Sequence, residues 1–446
     1  MSYKVAIIGS GPSAFYAAQA LFKSELTIQV DMFEKLPTPF GLLRGGVAPD
    51  HQQMKTVAKS YEKIAQHESF RFFGNVEIGK DITFEHLKKH YNSVVVAVGA
   101  ETDRKMNIPG EDTDGSHTAT EFVAWYNGQP SYQSKTFNLD GTSAIIIGQG
   151  NVAVDVTRIL AKPISELQKT DITQNAINHL KDSRITDIYM IGRRGPAQSA
   201  FTVLELKELG HIEGVNLKIH DELQLSKEDN EELEQSSKAR KNIEELKSLK
   251  ANENMKNNKT IHILFYSSPV EIIEENGGIK KVRFEKNRLE GSAGTQKARP
   301  TGETFDIDCD LLLRSIGYRG VPFKGLPFDD RSGTIPNDKG QVIRMDGSII
   351  DNVFVTGWIK RGPSGVIGTN RSDSIETITT CLAQLQNTSI EDPKDIELIL
   401  SEQNIQYLSY ADWKIIDEYE VSQGEKVGKP REKLTSIEEI LSILKK

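Results

Sequence analysis

Two short glycine-rich segments have the residue types and spacing that could bind the phosphates of a dinucleotide. In the first, Gly9-x-Gly11-x-x-Ala14 follows an apolar run and precedes a helical pattern. Such a turn needs Gly9 for its backbone angle, Gly11 so that a pyrophosphate can approach the main chain, and a small residue at Ala14 for close helix packing. The phosphates would meet free N–H groups at a helix N-terminus. A strand–turn–helix connection without a ligand is the alternative.

The next apolar run, residues 28–33, ends at Glu34. This acid lies about 20 residues after the turn, where a carboxylate would bind the ribose hydroxyls of an adenine nucleotide. A carboxylate there predicts a free ribose, as in FAD or NAD, and not a 2′-phosphate.

A second copy of the pattern is Gly148-Gln149-Gly150-Asn151-Val152-Ala153, again between an apolar run and a helical pattern. The following strand, predicted over residues 185–191, leads to Arg193 and Arg194 instead of an acid. Guanidinium groups are always charged and can bind phosphate oxygens bidentately, so this site is predicted to prefer NADP(H) over NAD(H). The alternative is that the arginines only cap helix carbonyls or lie in water.

The elements that must position these residues predict an α/β fold with two Rossmann-like dinucleotide-binding domains. The run at residues 94–100 is typical of a strand at the centre of a parallel sheet. A helix is predicted over residues 52–66 and a short strand over 72–77. Residues 37–51 have too many Pro and Gly for a regular element and predict a loop on a cofactor, or else a surface connection.

Composition limits the chemistry further. The 446 residues carry a net charge of −8 and two cysteines, Cys309 and Cys381. Two cysteines this far apart provide neither a Cys-x-x-Cys pair nor the ligands of a zinc site or iron–sulfur cluster, so no metal is expected and redox chemistry would need an organic cofactor. Net negative charge argues against nucleic-acid binding. No apolar run approaches a membrane span, and the first strand starts too early for a leader, which predicts a cytoplasmic protein.

Two dinucleotide sites without a redox cysteine pair suggest a flavoprotein in which NADPH reduces FAD. Trp358 could flank the flavin ring, or could be a core residue. The glycine-rich stretch Gly365-Val366-Ile367 could offer N–H groups to the flavin and lie close to the nicotinamide. The densest basic segment is a candidate docking patch for an acidic partner, with a solvated helix face as the alternative; it contains Lys238, Arg240, Lys241 and Lys247.

Eight motifs spread over the chain resemble the adrenodoxin reductase type of ferredoxin–NADP reductase. Besides the two glycine turns they include Pro39-Phe40-Gly41-Leu42, Gly46-Val47-Ala48-Pro49-Asp50-His51, Gly192-Arg193-Arg194-Gly195-Pro196, Ser315-Ile316-Gly317-Tyr318, Gly357-Trp358-Ile359-Lys360-Arg361-Gly362-Pro363 and Gly365-Val366-Ile367. The tail, Asp412-Trp413 and residues 428–434, is similar as well. The resemblance implies electron transfer from NADPH through FAD to a ferredoxin-type iron–sulfur protein.

The resemblance also implies a domain plan and site residues. It implies an FAD domain made of residues 1–103 and 325–446, with an NADP domain, residues 104–324, inserted between them. The implied FAD contacts are Ser13, Glu34, Leu42, Val76, Trp358, Gly365, Val366 and Ile367. The implied NADP contacts are Gln149, Gly150, Asn151, Val152, Arg193, Arg194, Glu205 and Gly365. His51 and Asp155 match residues that the family places near the nicotinamide, as proton carriers or as structural hydrogen-bonding groups.

Three other classes of protein remain as alternatives. A disulfide reductase would need a redox cysteine pair, which this sequence lacks. A monooxygenase or a diaphorase would use the same two nucleotides with another acceptor. A nucleotide sensor would bind without catalysis. Ala14 and Ala153 stand where many dinucleotide folds have a third glycine, a substitution that the fingerprint accepts.

Overall fold

The computed structural model describes residues 2–253, 256–365, 367–392 and 394–445. Its strands are β1 Ser2–Ile8, β2 Thr27–Glu34, β3 Phe70–Gly74, β4 Ser93–Val96, β5 Thr102–Asp103, β6 Ser116–Thr118, β7 Ser143–Ile147, β8 Asp187–Ile191, β9 Val215–Ile219, β10 Lys259–Leu264, β11 Ser267–Glu275, β12 Gly278–Glu290, β13 Lys297–Asp308, β14 Leu311–Arg314, β15 Tyr318–Arg319, β16 Asn337–Asp338, β17 Gln341–Ile343 and β18 Ile349–Val355. Its α-helices are α1 Pro12–Phe22, α2 Leu42–Gly45, α3 Gln52–Lys55, α4 Ala58–Ala65, α5 Phe84–His90, α6 Ala119–Tyr126, α7 Asn151–Ala161, α8 Ile164–Leu167, α9 Gln174–Leu180, α10 Val203–Gly210, α11 Lys227–Gln235, α12 Ser237–Ala251, α13 Trp358–Arg361, α14 Thr369–Leu385, α15 Ile396–Glu402, α16 Tyr410–Glu425 and α17 Ile437–Ile443.

The first sheet has the strand order β16-β17-β18-β4-β1-β2-β3, with β18 to β3 parallel. Side chains of β1 alternate between its faces: Val5 and Ile7 join the apolar cluster that includes α1 and α14, whereas Ala6 and Ile8 join the opposite one. Because both faces are covered, the strands are apolar throughout. The strand order reverses between β2 and β4, so a crevice opens beyond the carboxyl end of β1.

The second sheet has the order β6-β14-β7-β8-β10-β9, and all its strand pairs are parallel. Its corresponding crevice lies beyond β7, between β14 and β8. The sequence prediction of two Rossmann-like units in an α/β fold is therefore confirmed. The unit of the second sheet is inserted into the unit of the first, because the first sheet takes strands from both ends of the chain.

Two smaller β elements complete the inserted unit. At its neck, β5 and β15 pair antiparallel, so the segments that enter and leave it run side by side. A three-stranded antiparallel sheet, β11-β12-β13, stands outside the parallel sheet. The pairing of β12 with β13 shifts register between Glu285 and Asn287.

The helix predicted over residues 52–66 is wrong in its continuity, because the structure has two helices, α3 and α4, with a break at Thr56 and Val57. Two adjacent β-branched residues are stiff in a helix. The Thr56 hydroxyl also donates to the Gln53 carbonyl at 2.6 Å, a side-chain bond that competes with regular helix geometry. The strand predicted at 72–77 covers 70–74 instead, because Asn75 adopts a positive φ of 62°.

A C-terminal segment, residues 426–434, crosses from the first unit to the second. The Lys429 ammonium donates to the Ile172 carbonyl at 3.0 Å, and Glu432 accepts from the Gln174 amide at 2.8 Å. Lys433, 3% exposed, donates to the Asn127 side chain at 3.0 Å. Burial lowers the pKa of Lys433 well below its ordinary value. The segment therefore fixes the two units to each other.

Candidate functional site

The first glycine turn, residues 9–14, has the geometry of a phosphate site. Gly9 has a φ of +100°, and a Cβ there would lie 2.5 Å from the Ala97 carbonyl oxygen, so only glycine fits. Gly11 caps α1 without a side-chain hydrogen bond, and a Cβ added to it would meet nothing within 4 Å. The N-terminal end of the helix, which is the positive end of its dipole, thus faces open space, as anion binding requires.

Glu34 lies beside this turn, at the carboxyl end of β2. One carboxylate oxygen accepts from the Ser10 amide at 3.0 Å and from its hydroxyl at 2.7 Å, and the other accepts from the Leu36 amide at 3.0 Å. Burial raises the pKa of Glu34, and these hydrogen bonds oppose that rise. The sequence predicts this acid beside the first turn. In the structure the Ser10 and Leu36 amides and the Ser10 hydroxyl hold its carboxylate there.

The other residues expected at the flavin come from distant parts of the chain. Val76 is buried next to Glu34, and its amide donates to the Glu34 carbonyl at 2.9 Å. Leu42 begins α2 and is 38% exposed. The turn at Gly357 packs on α1, since a Cβ there would lie 2.5 Å from the Ser13 hydroxyl.

Trp358 follows that turn and stands at the start of α13. It is half-buried, its ring centroid lies 5.2 Å from that of Tyr318, and its indole Nε1 is buried without a hydrogen-bond partner among the described residues. Gly365 and Ile367 lie just before α14, and Ile367 packs against the apolar cluster that includes α1 and α14. Val366 lies outside the described residues.

The second glycine turn, residues 148–153, repeats the geometry of the first. A Cβ on Gly148 would lie 2.1 Å from the Ser315 carbonyl oxygen, whereas Gly150 has open space and caps α7 without a side-chain bond. Gln149 donates to the Leu264 carbonyl at 2.9 Å, and Asn151 accepts from the Thr202 amide at 2.9 Å. These two side chains hold the turn and the neighbouring loops together. Val152 is half-buried against the apolar cluster on the second sheet that contains Ala144 and Ile146.

Arg193 and Arg194 lie just beyond the end of β8, on the crevice side of the second sheet. Arg193 is exposed. Arg194 is half-buried, and its guanidinium donates to the Gln198 carbonyl at 3.3 Å. The alternative in which the arginines cap carbonyl groups therefore applies to one hydrogen bond of Arg194.

An interdomain cluster of charged residues joins the loop after α2 to helices α7 and α10. Its centre is Arg158, which is fully buried. The guanidinium donates to Asp50 at 2.6 and 3.0 Å, to Asp155 at 2.7 Å and to Glu205 at 3.0 Å. One buried cation thus ties the first unit to two helices of the second. The cluster consists of Asp50, His51, Asp155, Arg158, Lys162, Glu205 and Glu208.

His51 lies in this cluster, and the structure brings it together with Asp155 as the sequence suggested. Its Nε2 is 2.9 Å from a Glu208 carboxylate oxygen and 3.7 Å from one of Glu205. Its Nδ1 is 3.8 Å from Asp155. Both ring nitrogens therefore face acids of the second unit, so the ring bridges the two units.

Crowding of carboxylates shapes the electrostatics of the cluster. Burial raises the pKa of Glu205 to about 7, and the neighbouring Asp155 charge adds to the rise. Burial also raises the pKa of Asp155. Burial alone would raise the pKa of Asp50 as well, but bonds from Arg158 and Lys162 hold it far below its usual range.

The sequence did not single out Arg158, Lys162 or Glu208. Arg158 had a detectable signal: it is a cation in a helix whose other inward residues, such as Val154 and Ile159, are apolar, and it stands three residues after Asp155. Glu208 had none, because its partner is remote in the chain.

The predicted docking residues lie on α12. Arg240, Lys241 and Lys247 are exposed. Lys238 already makes one hydrogen bond within the protein, because its ammonium donates to the Ala200 carbonyl.

In the described part of the chain, no helix has the length and apolar character needed to cross a membrane. Both cysteines are buried and unbridged, and burial raises the pKa of Cys381 to about 12.

A pair of dinucleotide folds, one inserted into the other, defines a class of oxidoreductases that use two nucleotides. The sequence matches the pyridine nucleotide-disulphide oxidoreductase family over residues 3–194. It is 42% identical to the NADPH-ferredoxin reductase FprA of Mycobacterium leprae over 99% of this chain and 98% of the relative. It is 37% identical to the mitochondrial NADPH:adrenodoxin oxidoreductase of Bos taurus over 99% of this chain and 92% of the relative.

The structure agrees with that relationship. A solved structure of Mycobacterium tuberculosis FprA in complex with NADPH superposes with a TM-score of 0.93 at 40% identity, covering 99% of each chain. The chain therefore belongs to the family of FprA and the adrenodoxin reductases, and the resemblance seen in the sequence motifs is confirmed.

Proposed function

We propose that this chain is an NADPH-dependent flavoprotein reductase that transfers electrons through FAD to a ferredoxin-type iron–sulfur protein. The observation that carries the proposal is the pair of uncapped helix N-termini at Gly11 and Gly150, each opening onto free space beyond a central parallel strand. An acid accompanies the first and two arginines the second. The relatives named above are NADPH-ferredoxin and NADPH:adrenodoxin reductases, which supports the same reaction.

FAD fits the first crevice. The open space at Gly11 and the positive N-terminal end of α1 suit its pyrophosphate, and Glu34 keeps acceptor capacity for a ribose hydroxyl. The unpartnered indole nitrogen of Trp358 is a donor available to a ligand. The residues assigned to FAD are Gly9, Gly11, Ser13, Ala14, Glu34, Leu42, Val76, Trp358, Gly365, Val366 and Ile367.

NADP(H) fits the second crevice. The turn at Gly150 suits its pyrophosphate, and the exposed Arg193 with Arg194 suits a 2′-phosphate. Glu205, next to His51 between the two units, is assigned to the nicotinamide end. The residues assigned to NADP(H) are Gln149, Gly150, Asn151, Val152, Arg193, Arg194, Glu205 and Gly365.

When bound, FAD accepts hydride from NADPH and passes single electrons to the partner. The chain must therefore bring its two crevices together and keep that contact fixed. Arg158 does so by bonding acids of both units, and the C-terminal segment does so through Lys429. His51, held between Glu208 and Asp155, is assigned to hold a proton at the junction.

A disulfide reductase is the weaker alternative, because Cys309 and Cys381 are buried in different units and burial raises the pKa of both thiols. Thiolates are the reactive form, so neither cysteine is prepared for exchange.

We assign the ferredoxin-type partner to the exposed basic face of α12, formed by Arg240, Lys241 and Lys247, with Lys238 beside it.

The test is a sequential stopped-flow experiment. Mixing the yellow protein with NADPH should bleach the flavin, and a second mixing with an oxidised ferredoxin should restore the colour within one turnover. NADH at the same concentration is the control and should bleach more slowly. If NADPH does not reduce the flavin, the proposal is refuted. If oxygen or ferricyanide reoxidises the reduced flavin but no ferredoxin does, the physiological acceptor is a different molecule and the ferredoxin part of the proposal is refuted.

We further propose domain boundaries after residues 103 and 324, next to the paired linker strands β5 and β15. Limited proteolysis should cut in these linkers before either sheet. A cytoplasmic location is also proposed, supported by the two unbridged cysteines. Cell fractionation tests it directly.

A further inference from the structure

The loop that carries the two arginines, residues 192–198, rests on the β elements outside the parallel sheet. The Gly192 carbonyl accepts from the Ser267 amide at 3.0 Å, and the Arg194 carbonyl accepts from the Tyr266 amide at 3.1 Å. A Cβ added to Gly195 would lie 2.5 Å from the Tyr266 hydroxyl oxygen, so the loop lies directly on that ring. The arginine loop is therefore shaped by residues at the start of β11 and not only by the end of β8.

Asn287 makes the remaining contact, on the residue between those two carbonyls. Its side-chain Nδ2 donates to the Arg193 carbonyl at 2.9 Å and to the Ser268 hydroxyl at 2.8 Å. Its own amide donates to the Tyr266 carbonyl at 2.6 Å. An Asn side chain has two N–H hydrogens on Nδ2, and both are thus used. Asn287 stands at the register shift of β12, a kind of irregularity that often re-aims a side chain.

Fixing this backbone matters because the loop carries two adjacent cations. Arg194 has its own anchor, since its guanidinium donates to the Gln198 carbonyl. Arg193 is exposed, and among the described residues the hydrogen bond that holds it is the one its carbonyl accepts from the Asn287 side chain. Repulsion between like charges would otherwise turn the two guanidinium groups apart. A 2′-phosphate is bound well only where both groups converge on it.

We propose that Asn287 is a positioning residue for coenzyme selectivity, which holds the Arg193 backbone so that both arginines meet a 2′-phosphate. The inference rests on the proposed function, because it takes the arginine loop as the 2′-phosphate site. It gives the three-stranded sheet a role in telling NADP(H) from NAD(H), in addition to its role in the fold. Asn287 acts through Arg193 and touches no ligand.

The experiment is calorimetric titration of the FAD-loaded protein with 2′,5′-ADP and with 5′-AMP, two ligands that differ by the 2′-phosphate. Asn287→Ala and Asn287→Leu both remove the donor to Arg193 without adding a charge. Each should weaken 2′,5′-ADP binding about three- to tenfold, the effect of one hydrogen bond, and leave 5′-AMP binding unchanged. Leu is close to Asn in size and uncharged, so it keeps the test valid if the alanine variant folds poorly.

A matched control is Thr301→Ala, which removes a side-chain bond of 2.9 Å from Thr301 to the Lys286 carbonyl in the same sheet. It should change neither affinity. Equal losses for 2′,5′-ADP and 5′-AMP in the Asn287 variants, or no loss for either, would overturn the inference. Arg193→Ala separates this from failure of the proposed function: if that variant keeps full 2′,5′-ADP affinity, the arginine loop is not the 2′-phosphate site and both assignments fall.

Discussion

Replacing Glu205 by Gln should remove the fall in the free energy of unfolding that this one carboxyl causes between pH 5 and pH 8. Glu205 has its pKa raised from 4.5 to about 7, first by burial and then by Asp155. The folded protein therefore holds this proton more tightly than the unfolded chain, so the free energy of unfolding falls as pH rises from about 4.5 to 7 and stays low above it. With these two pKa values, linkage gives a loss on the order of 2–3 kcal/mol between pH 5 and pH 8.

Glutamine has the same shape, keeps an oxygen that can accept from Arg158, and carries no charge. Asp50 does not contribute to the slope in this window, because its pKa lies far below it. Urea unfolding of the FAD-loaded protein and of Glu205→Gln at both pH values, followed by circular dichroism, measures the difference. The exposed Glu213→Gln is the matched control and should follow the wild type. Parallel pH profiles for the wild type and Glu205→Gln would show that Glu205 is ionised without cost and refute the reasoning.

Three further changes test the assigned sites. Arg193→Ala with Arg194→Ala should raise the NADPH Michaelis constant tenfold or more, since charge-assisted bonds contribute about 1.5–3 kcal/mol each, and should leave NADH kinetics almost unchanged; equal effects on both coenzymes would contradict the assignment. Gly11→Val fills the open space at the first turn and should give a folded but colourless protein, whereas stoichiometric FAD would move the flavin elsewhere. Arg240→Glu with Lys241→Glu should raise the Michaelis constant for ferredoxin and flatten its salt dependence, with ferricyanide reduction unchanged; unaltered ferredoxin kinetics at low salt would place docking on another surface.

The two nucleotide units could be predicted because their signals are local. Gly9, Gly11 and Glu34 belong to one strand–helix–strand unit, in which steric and hydrogen-bonding demands act over about 20 residues. The break at Thr56 was missed because a periodic pattern of apolar residues does not register a side chain that bonds back to its own helix.

The interdomain cluster and the support of the arginine loop could not be predicted in the same way. Asp50 and Arg158 stand 108 residues apart in the sequence, and Arg193 and Asn287 stand 94 apart. Which distant partners meet depends on how the inserted unit packs on the first one, and that packing has no local pattern. The local sequence around Glu208 does not distinguish an acid that faces solvent from one that contacts the half-buried His51.

The order in which the first sheet receives its strands has a consequence for biosynthesis. The inserted unit has all its strands between β6 and β14, so it can complete its sheet while the ribosome is still translating. β4 must wait for β18, its neighbour in the first sheet, and for α14, which packs on α1. At about 5–20 residues per second the interval between β4 and β18 is tens of seconds, during which the first sheet lacks β18 and the part of its cover that α14 supplies. The inserted sheet can thus form before the first sheet is complete, because β18 and α14 belong to the last hundred residues of the chain.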